Sequence, residues 1–74
     1  MKACNENIKQ LLEQVRELLF LADKGDMQRE DDGCGVLFGI VRDSAYKIRL
    51  LAEQEKEAHK RRGVWAEDEQ LHSF

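Results

Sequence analysis

The chain has 74 residues, a formal net charge of −3 and no proline. A chain of this length forms a single domain, whose small core gains stability from a disulfide, a metal or a second subunit. The negative charge disfavours a general nucleic-acid-binding surface, and no apolar run reaches the roughly 18 residues of a membrane span. The polar N-terminus lacks signal-peptide character, which predicts a cytoplasmic protein with no membrane contact.

Two segments carry apolar residues at alternating steps of three and four, the spacing of a helix face that packs on another helix. In the first segment this stripe consists of Ile8, Leu11, Val15, Leu18 and Ala22. In the second segment it consists of Cys34, Phe38, Val41, Ala45, Ile48 and Ala52. The pattern predicts an all-α fold of two long antiparallel helices, a helical hairpin, followed by a short C-terminal tail or helix.

The first helix is expected over about residues 5–23 of a single domain that spans residues 1–74. Asn7 and Gln10 resemble a capping box, in which each side chain satisfies a free backbone N–H group of the first helical turn. Lys24-Gly25 resembles a stop signal, because glycine readily adopts the conformation that ends a helix.

The second helix is expected over about residues 32–62, with residues 63–74 as the tail. Asp31 or Asp32 is expected to cap its start, where a carboxylate suits the positive end of the helix. Gly63 supplies the C-terminal stop. At these lengths the second helix extends about ten residues beyond the first.

Residues 34–41 could also form a buried strand, because they are rich in glycine and β-branched residues. No other segment resembles a partner strand, and the apolar stripe continues through this stretch to Ile48, so the helix is favoured. In the resulting hairpin Cys4 and Cys34 lie at opposite ends, about 25 Å apart, which is too far for a disulfide.

Both helices are apolar around most of their circumference near the turn, which predicts packing on more than one side. Each helix covers only one side of the other, and a large apolar side chain left exposed forgoes roughly 1.5–3 kcal/mol. A second copy of the chain would cover the remaining sides, so the sequence predicts a homodimer that forms a four-helix bundle. The expected dimer interface consists of Phe20, Leu21, Gly35, Leu37, Gly39 and Ile40.

Few residues resemble a catalytic or cofactor site. Glu55 and His59 share a helix face and could ligate a metal, but the first helix offers no second ligand pair. Ser44 and Lys47 match a Ser-x-x-Lys nucleophile motif without its partner motifs. We therefore expect no enzymatic activity, no cofactor and no metal.

The end of the second helix is another candidate contact surface. Its basic cluster consists of Lys56, Lys60, Arg61 and Arg62. Glutamates lie beside these basic residues, and no aromatic residue lies among them for stacking on bases. The cluster is therefore expected to stabilise the negative end of the helix dipole rather than to bind phosphates. Trp65 follows the cluster and is expected to close its own core, with anchoring of a partner as the alternative.

These features predict a small non-enzymatic protein that acts as an interaction or adaptor module, with a second copy of itself as the first candidate partner and another protein as the second. The alternative is a small regulatory nucleic-acid-binding protein that uses the basic cluster, since a dimer would present two such clusters to a phosphate backbone. The net charge makes this alternative the less favoured of the two.

Overall fold

The computed structural model describes residues 2–65, which form two α-helices and no strand. The first helix, α1, spans Lys2–Met27, and the second, α2, spans Asp32–Arg61. They pack against each other as a hairpin whose turn lies at residues 28–31. The predicted all-α hairpin is therefore confirmed, whereas the tail after residue 65 lies outside the described residues.

Helix α1 is longer at both ends than the predicted range of 5–23. It begins at Lys2, so Asn7 lies inside the helix and caps nothing. At its other end it continues through Gly25, where a Cβ atom would lie 2.6 Å from three carbons of the Phe38 ring. Gly25 is thus a packing position that admits an aromatic ring, and the helix stops only after Met27.

Helix α2 begins and ends as its sequence signals predict, to within one residue. The carboxylate of Asp31 accepts a hydrogen bond from the backbone N–H of Cys34 at 2.7 Å. Hydrogen bonding to Cys34 lowers the pKa of Asp31, and the Asp31 side chain in turn raises the pKa of the Cys34 thiol. At the C-terminal end, the backbone N–H of Arg62 donates to the Ala58 carbonyl at 3.1 Å, and Gly63 adopts a φ of 75°.

The register of the hairpin follows from contacts at its two ends. Arg42 pairs with Asp23 near the turn, and His59 pairs with Asn5 at the open end. Facing residues therefore have numbers that add to about 64. Because α1 is longer than predicted, it reaches nearly to the end of α2, and the expected ten-residue overhang is wrong.

The most deeply buried apolar positions of the seam carry small side chains. They are Val15, Ala22, Ala45 and Ala52. In α2 the predicted stripe faces α1, with Ile48 at its margin, 37% exposed. In α1 the prediction was wrong at Leu11 and Leu18, which are 42% and 36% exposed, while the neighbouring Leu12 and Leu19 are half-buried. Because Leu11 and Leu18 are each followed by another leucine, α1 could rotate about its axis in two ways and still place a leucine in the seam. In the packed hairpin Leu12 and Leu19 lie in the seam, and Leu11 and Leu18 lie beside it.

Candidate interaction surface

One side of the hairpin seam is charged. The guanidinium of Arg42 donates to Asp23 Oδ1 from Nε at 3.0 Å and from Nη2 at 2.8 Å, and this bond raises the pKa of Arg42. Farther along, Arg16 of α1 lines a groove together with Arg49 and Glu53 of α2. These residues come from both helices and so define one side of the hairpin, which we call the charged face.

The other side of the seam is apolar. A helix turns by about 100° per residue, so residues 11, 18 and 21 lie on the flank of α1 opposite to Arg16. By the same geometry, residues 37, 40, 48 and 51 lie on the flank of α2 opposite to Arg49. We call this surface the apolar face, and it consists of Leu11, Leu18, Leu21, Leu37, Ile40, Ile48 and Leu51. These side chains are between 36% and 59% exposed. Gln14 and Ser44 lie between them on the same face, and both are uncharged.

The structure separates the six residues predicted for the dimer interface. Leu21, Leu37 and Ile40 come together on the apolar face, near the turn. Phe20 lies on the other flank of α1, where it is 76% exposed and lines a shallow groove with Met27. The predicted patch is therefore two patches, of which the apolar face is the larger.

The two predicted interface glycines lie with Arg42 on the charged side of α2. A Cβ atom at Gly35 would lie 2.6 Å from Nη1 of Arg29, so the Arg29 side chain already covers this position. A Cβ atom at Gly39 would meet no atom within 4 Å. Of the two glycines, only Gly39 has open space above it on the helix surface.

A buried polar cluster closes the open end of the hairpin. Asn5 and His59 are 2% and 3% exposed. The Asn5 amide donates from Nδ2 to the Val64 carbonyl at 2.6 Å, so its Oδ1 faces His59 Nδ1, also at 2.6 Å. That nitrogen must carry the hydrogen, which leaves His59 Nε2 directed at Glu55 Oε2, 3.7 Å away. His59 therefore links α1, α2 and the segment that follows α2.

The contact between Asn5 and His59 was not predicted from the sequence, although the position of His59 carried a signal for it. His59 lies seven residues after Ala52, which continues the apolar stripe of α2 by two helical turns. Asn5 precedes the predicted start of the first stripe, and a polar residue at a seam position gives no hydrophobic signal. The contact becomes visible only when the register of the two helices is known.

Trp65 packs within its own chain at this open end. Its ring lies edge-on to that of His59, with centroids 6.3 Å apart and planes inclined by 62°. The ammonium groups of Lys9 and Lys56 each lie 5.4 Å from the centre of the indole ring. Cations at this distance from an aromatic face are attracted to its π-electrons, so α1 and α2 both hold Trp65 in place.

The rest of the basic cluster lies among acidic side chains. Lys60 Nζ is 3.9 Å from Glu57 Oε1, and Arg61 lines a groove with Glu53 and Glu57. Arg62 is the C-terminal cap residue of α2. Positive charges at this end are therefore partly compensated locally, and they also oppose the negative end of the helix dipole.

Comparisons with protein-family models, with curated proteins and with solved structures found no match for this chain. Neither α1 nor α2 combines the length and the apolar character that crossing a membrane requires. Within residues 2–65, no three histidine, cysteine, aspartate or glutamate side chains converge as a ligand set for a metal. The apolar face is thus the strongest functional feature of the described chain.

Proposed function

We propose that this chain is a non-enzymatic protein–protein interaction module that associates with itself through the apolar face. The observation that carries the proposal is the grouping of seven exposed large apolar residues on one side of the hairpin, opposite a charged side. Single exposed apolar residues are common on soluble proteins, whereas a contiguous patch of this kind typically marks an interface.

The energetics of burial support a second copy as the partner. Each side chain of the apolar face is about half exposed, so covering it recovers roughly 1 kcal/mol. In a two-fold dimer the same face contributes from both protomers, because an isologous interface uses one surface patch twice. Four helices around this shared core form the four-helix bundle that the sequence predicts.

The basic cluster supports the alternative, a regulatory nucleic-acid-binding protein, less well. Lys60 and Arg61 lie beside Glu57, and the whole chain carries a net charge of −3. Phosphate binding depends on uncompensated positive charge, which this end of α2 offers only in part.

The free thiols of Cys4 and Cys34 favour a reducing compartment such as the cytoplasm.

The proposal is tested by the molar mass in solution, measured by light scattering over a dilution series. A chain of 8.6 kDa is expected to show twice that mass at high concentration and to dissociate on dilution. A mass that stays at that of one chain at every concentration would overturn the proposal.

Two neighbouring leucines provide a matched test of the surface. Leu51 lies on the apolar face and is 54% exposed, while Leu50 lies outside it and is 58% exposed. Leu51→Glu is expected to raise the dissociation constant of the dimer at least about tenfold, because a two-fold interface would contain the charge twice. Leu50→Glu is expected to leave the dimer intact. Equal effects of the two substitutions would contradict the assignment of the apolar face.

A further inference from the structure

The outer edges of the apolar face carry one acidic and one basic residue at the same level of the hairpin. By the same geometry, Glu17 lies next to Leu21 on the outer surface of α1, and Lys47 lies next to Leu51 on the outer surface of α2. Their numbers add to 64, as do those of facing residues elsewhere in the hairpin. Both side chains are exposed, and neither forms an ion pair with another residue of the described chain.

Two hairpins can pack face to face about a two-fold axis in two ways. If the axis is parallel to the helices, both turns lie at the same end, and α1 of each protomer lies beside α2 of the other. If the axis is perpendicular to the helices, the turns lie at opposite ends, and each helix lies beside its own copy. Neighbouring helices are antiparallel in both arrangements, so helix packing alone does not choose between them.

The charges at the edges do distinguish the two arrangements. An axis parallel to the helices keeps equivalent residues at equal heights, so Glu17 lies at the level of the partner's Lys47 at both edges. The perpendicular axis passes near the centre of the apolar face, at the level of residues 18 and 46. There it places Glu17 beside the partner's Glu17 and Lys47 beside the partner's Lys47. Like charges that face each other across an interface are disfavoured.

We propose that a second copy docks on the apolar face with its turn at the same end, and that reciprocal Glu17–Lys47 ion pairs hold this orientation. This inference rests on the proposed function, since it specifies how the self-association occurs. Two features together favour a second copy as the partner, an apolar face that can pack on itself and one pair of oppositely charged residues at equal height on its edges. In this dimer both open ends, each with its His59 and Trp65, lie at one pole of the bundle.

The orientation is tested by a distance measurement between spin labels at the turn. Gln28→Cys supplies the labelling site, in a chain whose native thiols are removed by Cys4→Ser and Cys34→Ala. With the turns together, the two labels are separated by roughly the width of two helices, about 20 Å. With the turns apart, they are separated by at least about 30 Å, because residue 28 lies ten residues from the level of the axis in each protomer.

The possible outcomes separate this inference from the proposed function. A dimer with the short distance supports both, and a dimer with the long distance overturns the orientation but leaves self-association intact. A chain that light scattering shows to be monomeric overturns the proposed function and the inference with it.

Charge reversal tests the ion pairs themselves. Glu17→Lys and Lys47→Glu are each expected to raise the dissociation constant about tenfold, because each creates two like-charge contacts. The double reversal is expected to restore the original value, since it rebuilds both pairs with the charges exchanged. In the perpendicular arrangement each single reversal would replace one like-charge contact by another. Unchanged affinity of both single variants would therefore overturn the inference.

Discussion

The side-chain amide of Asn5 satisfies two polar groups at the open end of the hairpin. It donates to the Val64 carbonyl and accepts from the ring of His59, each at 2.6 Å. Asn5 and His59 are almost fully buried, so water cannot readily replace either bond. A buried donor or acceptor left without a partner costs about 1–3 kcal/mol. The side chain of Asn5 therefore stabilises the packing of α1 against the C-terminal end of α2.

Replacing this amide should weaken the fold measurably. Asn5→Ala is expected to lower the free energy of unfolding by about 2–3 kcal/mol, because it leaves His59 Nδ1 and the Val64 carbonyl without their partner. Asn7→Ala removes an exposed amide from the same helix and is expected to change the free energy of unfolding by less than about 0.5 kcal/mol. Urea denaturation followed by circular dichroism, at one protein concentration, measures both. Similar losses for the two variants would contradict the role of Asn5.

At the scale of the helices, small side chains determine how closely the two elements approach. Three of the four buried apolar residues in the seam are alanine, and Gly25 leaves room for the Phe38 ring. Short side chains bring helix axes nearer together than leucine does. The larger apolar side chains are consequently displaced to the flanks of the seam, where they form the apolar face.

Two glycines inside the helices are expected to respond in opposite ways to the same substitution. Gly25→Ala is expected to destabilise the protein by about 1–3 kcal/mol, because its new methyl group would overlap the Phe38 ring and overpack the seam. Gly39→Ala meets no atom and is expected to stabilise the protein by about 0.5–1 kcal/mol through higher helix propensity. Thermal and urea denaturation measure both changes. A destabilising Gly39→Ala that also reduced the dimer mass would place Gly39 in the interface.

For the whole molecule, part of the available hydrophobic stabilisation lies outside the seam. The buried apolar residues of the seam are one valine and three alanines, whereas seven leucines and isoleucines lie about half exposed on the outward apolar face. Burial of apolar area is the main favourable term in folding, so covering the apolar face would add to the stability of the hairpin. Folding and self-association are therefore expected to be coupled.

This coupling predicts that thermal stability depends on protein concentration. The melting temperature is expected to rise with concentration, because a partner that binds only the folded state stabilises it by mass action. In Leu51→Glu, whose dimer is weakened, the melting temperature is expected to be lower than that of the unchanged chain at the same concentration. A melting temperature of the unchanged chain that stays constant over a hundredfold range would show that the hairpin is stable without a partner.

The two helices, both ends of α2 and the packing of the helices as a hairpin could be predicted from the sequence. These features depend on residues close together in the chain: the three–four spacing, the Asp31 cap and the positive-φ position at Gly63. The sequence also identified Leu21, Leu37 and Ile40 as apolar residues in excess of what one hairpin can bury. Such patterns are readable because helix periodicity and capping are local.

Two features depended on the folded hairpin: which leucines of α1 lie in the seam, and which residues meet at the open end. The rotation of α1 placed Leu11 and Leu18 outside the seam, and the register brought Asn5 against His59. Both outcomes depend on the two helices at once, since adjacent leucines make either rotation compatible with the local spacing. The separation of the hairpin into an apolar and a charged face follows from that same rotation, which is why the sequence could not supply it.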